Sequence, residues 1–264
     1  MKSSTRTILF AVVIGALTLV IYYLAAVVRG PDVEYISWNV PSAIVLTVIG
    51  LAAGAAWGAR AELARWKTVD AILTANLALV FGLLFLGWGI TIWKLATPLK
   101  ASGLRDLLYG FWFIAAIVVP YIIRKPGAAV AAETLAAAAE WLAGGEWGLT
   151  LLISGLVQGG AAELIFAATG WTNYGLPVLM LAGAAAGVGS FVVDYLFWYS
   201  TLAPGVLAVM FVARLISGAI LSGWLGKALS DALAGTGVLA SFPLGRERRG
   251  PEPVERQEAA WPAT

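Results

Sequence analysis

Residues 145–166 read GEWGLTLLISGLVQGGAAELIF, and the interpretation of the whole chain turns on them. The run is long and apolar enough to cross a bilayer as a helix. Its interior nevertheless holds Gln158 and Glu163, and it opens on Glu146 and Trp147. On a helix, Gly155, Gly159 and Glu163 fall in one i, i+4 row and Gln158 and Ala162 in the row beside it, together an arc of roughly 140°. That face has no bulk and two polar heads. Two readings stand. Gly155-x-x-x-Gly159 is a common face for close helix packing. Polar groups inside a membrane are costly and are kept for function, which points to Gln158 and Glu163 as ligand-facing or network residues.

Composition widens the same conclusion. Of 264 residues, 60% are hydrophobic and 12% charged, with a mean hydropathy of +0.86. Soluble domains carry roughly 25% charged residues. The chain therefore reads as an all-α, polytopic membrane helical bundle. It has no cysteine and no histidine, which excludes disulfides, thiolate nucleophiles, zinc sites and histidine relays. No metal and no cofactor are expected. Carboxylates, amides, hydroxyls, cations and twelve tryptophans remain for chemistry.

Eight apolar runs are long enough to span: 8–28, 40–59, 69–95, 107–123, 128–143, 145–166, 176–198 and 206–229. Two of these runs lie in residues 1–67 and six in 68–239, and a tail, 240–264, follows. The tail, rich in Arg, Glu and Pro, is expected to be disordered. An even number of spans puts both termini on one side. The segments on that side hold Lys2, Arg6, Arg60, Arg65, Lys67, Arg124, Lys125, Lys227, Arg246, Arg248, Arg249 and Arg256. The opposite side holds Arg29, Lys94, Lys100 and Arg105. Positive residues concentrate in the cytoplasm, so both termini are expected there, in a multi-pass protein of the plasma membrane.

In that orientation Tyr109, Trp112, Glu140, Trp147, Asp194, Trp198 and Tyr199 fall in the outer half. Gln158 lies near mid-membrane and Glu163 deeper, while Glu133 lies toward the inner side. Acidic and aromatic residues together suit a flat, cationic or amine-bearing ligand, because indole faces attract cations. The plainer alternatives are an interfacial aromatic belt and pairing of Asp194 or Glu140 with the intramembrane Arg214. No phosphate-binding loop is present: Gly226-Lys227 is followed by Ala228 rather than Ser or Thr. An energised process needs a partner.

From about Val69 onward the sequence resembles the YkoE-type substrate-binding (S) components of energy-coupling-factor ABC transporters. The matching stretches are 109–113 (YGFWF), 123–129 (IRKPGAA), 155–159 (GLVQG), 162–163 (AE), 174–183 (YGLPVLMLAG), 214–219 (RLISGA) and 225–229 (LGKAL). They cover roughly two-thirds of the chain. The resemblance implies a six-helix core binding thiamin or its hydroxymethylpyrimidine precursor near the outer side. It implies a transmembrane T component and two ATPase subunits as partners. In such proteins an Ala-x-x-x-Ala surface on the first core helix meets the T component, and Ala71 and Ala75 match it. Residues 1–67 depart from the family. On both arguments the ligand residues are Tyr109, Trp112, Glu140, Trp147, Gln158, Glu163 and Asp194.

Two rival classes are a stand-alone proton-coupled carrier and an intramembrane enzyme working through Glu133, Glu140 and Glu163. The enzyme lacks a paired nucleophile and base. Nucleic acid has no place in any of these readings. The cysteine-free sequence makes the topology testable: single cysteines at Ser102 and Lys125 are expected to react with impermeant reagents from opposite faces of the membrane. Reaction from the same face would exclude it.

Overall fold

Helix α1, Thr68–Trp88, begins the part of the chain that the computed structural model describes, residues 66 to 249. The two expected N-terminal spans and the end of the tail lie outside the described residues. Asp70 anchors the start of α1. Its carboxylate accepts from the Lys67 backbone N–H at 2.8 Å and pairs with Lys125 at 2.5 Å. The rod continues as a π turn, Gly89–Trp93. Two 3₁₀ segments follow, Thr97–Ser102 and Leu104–Phe113, and the second runs into α2, Ala115–Ile123. Then come α3 (Ala128–Leu142), α4 (Thr150–Ala168) and α5 (Leu176–Asp194). A π turn, Tyr195–Tyr199, extends α5. The last rod joins α6 (Pro204–Ser217), a π segment (Gly218–Trp224) and α7 (Leu225–Gly235). No strand occurs among the described residues.

Among the described residues this is an all-α bundle of six rods, and five are long and apolar enough to span a membrane. The exception is α3, whose 15 residues rise roughly 22 Å at 1.5 Å per residue. Around the bundle, α1 packs on α3, α3 on α4, α4 on α5, and α5 on the α6 rod, which closes onto the 104–113 segment. The centre is α2, every residue of which is buried. That is why it reads as apolar on all sides: it has no solvent or lipid face to mark.

Small residues let the rods approach at each seam. A Cβ on Gly82 would strike the Ala136 carbonyl of α3. One on Gly155 or Gly159 would come within 2.9 Å and 2.8 Å of the Glu133 and Ala129 carbonyls. Gly183 of α5 abuts Gly218 across the next seam, and Gly110 abuts the Ser217 carbonyl. The packing reading of Gly155 and Gly159 is therefore the one realised.

Two expectations need correction. The sixth span begins at Thr150, not Gly145, because Gly144 and Gly148 adopt φ values of 103° and 58° that break the helix and form a turn. The tail does not lose order at Ala240. Pro243–Arg249 forms a short helix, α8, with Leu244 buried, held by ion pairs of Glu247 with Arg124 and of Arg248 with Asp231 (2.8 Å).

Glu163 sits at the other end of α4 from that turn, wholly inside the protein. Its carboxylate accepts from the backbone N–H of Gly127 (2.6 Å) and Ala129 (2.9 Å) and from the Trp171 indole (2.6 Å). It thereby caps the N-terminus of α3 from a neighbouring helix, where backbone donors and the helix dipole both favour an anion. Hydrogen bonds to a charged group contribute roughly 1.5–3 kcal/mol. Glu163→Ala strands three buried donors and is expected to lower the melting temperature of the detergent-solubilised protein markedly. An unchanged melting curve would contradict the capping role.

Candidate functional site

A cavity of about 380 Å³ opens at the end of the bundle away from the Arg124–Gly127 turn. This is within the range of small-molecule sites, roughly 300–1,000 Å³. It lies where the π turn of α1, the 97–113 segment, the middle and end of α3, the start of α4 and the π turn of α5 converge. The two π turns matter locally. Each carries one residue beyond α-helical need, and such bulges recur at functional sites because they redirect side chains. The first brings Trp93 onto the cavity wall; the second brings Trp198 and Tyr199.

The aromatic wall is a connected set. Trp93 meets Trp112 edge to face, with centroids 5.2 Å apart and planes at 88°, and meets Tyr109 at 5.4 Å and 89°. Trp112 in turn stands at 89° to Trp147, 5.8 Å away. Such edge-to-face contacts are favourable and hold each indole in one orientation. Trp147 reaches the cavity from the 143–149 turn. Beside that turn, Lys94 and Glu146 form an exposed ion pair at the rim.

Carboxylates supply the polar part. Glu140 Oε1 accepts from the Trp112 indole at 3.3 Å. Glu133 Oε2 accepts from the Ala116 N–H at 2.9 Å, a donor at the junction of the 3₁₀ segment and α2. In each case the second carboxylate oxygen has no hydrogen-bond partner among the described residues. Gln158 adds an amide to the wall. Asp194 also lines the cavity but is already engaged. Arg214, fully buried, donates to Asp194 at 2.7 Å, to Ser190 at 2.9 Å and to Asp106 at 2.5 and 2.8 Å, and its guanidinium lies 3.7 Å over the Tyr109 ring.

Six of the seven expected ligand residues therefore line one cavity: Tyr109, Trp112, Glu140, Trp147, Gln158 and Asp194. Glu163 does not; its oxygens serve α3. Of the two acids considered as partners of Arg214, Asp194 is one and Glu140 is not, and Asp106 is the unforeseen second. Glu133, expected toward the inner side, lies on the wall because the cavity reaches down α3 by two turns below Glu140. Lys100 and Arg105 also line it. Their sequence signal was present, but positive charges in that loop weigh first as topology markers. On the opposite side of α1 from α3, Ala71 and Ala75 are exposed together with Ile72, Leu79 and Leu83.

Comparison with known proteins gives this arrangement its class. A solved structure described as an S-component of an ECF transporter superposes with a TM-score of 0.67 at 40% identity, over 75% of this chain and 99% of that one. Residues 69–189 match the family described as the permease component of ABC-type cobalt transport systems. Fold and cavity thus define an S component of an energy-coupling-factor transporter, a transport subunit and not an enzyme. More closely, the chain is 44% identical over 186 residues, 69% of its own length, to 92% of the Bacillus subtilis protein named putative HMP/thiamine permease protein YkoE. It belongs to the YkoE family.

Proposed function

We propose that this S component captures thiamin or its hydroxymethylpyrimidine precursor for an ATP-driven importer. The observation that carries the reading is the pairing, in one cavity, of a perpendicular tryptophan set with carboxylates that each keep an oxygen free. The name of the Bacillus subtilis relative, a putative HMP/thiamine permease protein, supports the ligand class. The cobalt of the family description finds no matching donor set: among the described residues no group of three or more His, Cys, Asp or Glu side chains could hold a metal ion.

The roles follow from the geometry. The indoles of Trp112 and Trp147 stand at right angles, so a flat ring can lie on one face with its edge toward the other. Glu140 and Glu133 accept an exocyclic amine, and Gln158 offers a neutral donor and acceptor pair. A thiazolium gains cation–π attraction from the same indoles; the neutral pyrimidine does not. Asp194, held by Arg214, and Tyr109, beneath that guanidinium, act as wall. In the proposed orientation both termini are cytoplasmic and the cavity opens outward.

Energy comes from partners, a transmembrane T component and two ATPase subunits. The face bearing Ala71 and Ala75 is open, and side chains of this size let another helix approach to backbone distance. Its proposed occupant is the T component.

Two measurements test this function. Glu140→Gln and Trp147→Ala should each weaken thiamin binding to the purified protein about 10- to 100-fold, the loss of one charged hydrogen bond or one stacking face. Loss of the indole should cost thiamin more than the pyrimidine. Wild-type affinity in both folded variants would remove the site from consideration. For coupling, Ala75→Trp is expected to abolish ATP-dependent uptake while binding to the isolated subunit persists. Loss of both would mean that Ala75 serves the core.

A further inference from the structure

The cavity has two chemically distinct ends. At one end Glu140 and Glu133 each spend one carboxylate oxygen on the protein, on the Trp112 indole and the Ala116 N–H, and keep the other for a ligand, while Asp194 is paired with Arg214. Toward the other end two cations, Lys100 and Arg105, line the cavity. Neither forms an ion pair with a described residue, although Lys94, Arg124, Lys125, Arg214, Lys227 and Arg248 all do. Arg105 lies with its guanidinium 4.0 Å over the Trp93 ring, and its Nε is buried without a hydrogen-bond acceptor. Buried donors are nearly always satisfied, so the Arg105 guanidinium keeps unmet hydrogen-bonding capacity beside the cavity that its side chain lines.

The spacing of the two ends is set by the tryptophans. Arg105 covers Trp93, Trp93 abuts Trp112 at 5.2 Å, and Trp112 donates to Glu140. Two ring systems therefore separate the basic end from the acidic end, about the length of a small heteroaromatic molecule. In the proposed orientation the basic end also lies on the outer side of the membrane, where Lys and Arg do not concentrate.

We infer that Lys100 and Arg105 form an anion subsite, and that the pocket accepts phosphate monoesters of its alcohol ligands: a ring amine toward Glu140 and Glu133, a phosphate toward Lys100 and Arg105. Thiamin and hydroxymethylpyrimidine each carry one primary hydroxyl, so each has one such ester. Guanidinium and ammonium groups suit phosphate oxygens, the first through paired N–H donors. The inference rests on the proposed ligand class and extends it to the phosphorylated forms.

The test is a titration of the purified full-length protein with four compounds: thiamin, thiamin monophosphate, hydroxymethylpyrimidine and its monophosphate. The wild type should bind at least one ester as tightly as its parent alcohol or more tightly. Lys100→Gln combined with Arg105→Gln should weaken that ester about 10- to 100-fold, as expected for losing hydrogen bonds to a charged group, and weaken the alcohol far less. Arg105→Lys in the wild-type background should retain most of the ester preference. Esters bound much more weakly than alcohols by the wild type would overturn the subsite. So would an equal loss of ester and alcohol in the double variant, which would reduce Arg105 to a support for Trp93. Failure of all four compounds to bind would instead remove the proposed function beneath it. Alcohol binding without ester binding would remove this inference alone.

Discussion

A guanidinium in the middle of a membrane bundle must have its charge met or the bundle does not form. Arg214 meets this demand with two carboxylates, a hydroxyl and an aromatic face, and in doing so it joins three separate pieces of chain. Asp106 belongs to the 3₁₀ segment, Asp194 and Ser190 to α5, and Arg214 to α6. Removing one partner of such a group leaves an uncompensated buried charge, at a cost of roughly 3–5 kcal/mol. The site inherits this tie. Asp194 and Tyr109 are both cavity wall and part of the charge cluster, and Arg105 follows Asp106 into place as its chain neighbour. The wall opposite α3 is therefore fixed by ionic contacts, whereas the α3–α4 wall is fixed by steric ones.

The steric half works by subtraction. Glycines at positions 82, 155, 159, 183 and 110 each stand where a methyl group would strike a neighbouring backbone or side chain. Lipid tails are as apolar as leucine, so the rods gain little from merely hiding apolar surface from one another. Close approach and dispersion contact hold them instead. The result is a thin, Ala-rich α3 that passes between α1 and α4 and brings Glu133 and Glu140 to the cavity without bulk beside them.

Much of this could be read from the chain alone. Run lengths give the rods, the small-residue rows give the seams, and the clustering of tryptophans with acids gives the cavity. What escaped reading has physical causes. Glu163 looks like any other intramembrane carboxylate until the start of α3 is seen to end beside it, a relation between residues 34 to 36 apart in the chain. Position along a helix puts Glu133 toward the inner side, but depth says nothing of how far a cavity descends. The arginines of the 243–249 segment hid a buried Leu244, because composition averages over a helix that has one apolar contact and several ionic ones. The close approach of Gly110 within the 3₁₀ segment 104–113 to Ser217 is a tertiary contact between residues 107 apart, with no local signal.

The π turns at 89–93 and 195–199 have a consequence for how such pockets diverge. Each residue of an α-helix advances the side-chain direction by about 100°, so the angular position of Trp93, Trp198 and Tyr199 depends on helical phase as well as on residue identity. A one-residue insertion or deletion upstream swings an entire aromatic wall around its axis, while the helix stays seated in its glycine seams on the other side of the break. Point substitution changes what a wall is made of; a shift in phase changes which wall faces the ligand. Related bundles can thus acquire differently lined cavities on one unaltered scaffold, through changes in chain length too small to disturb the fold.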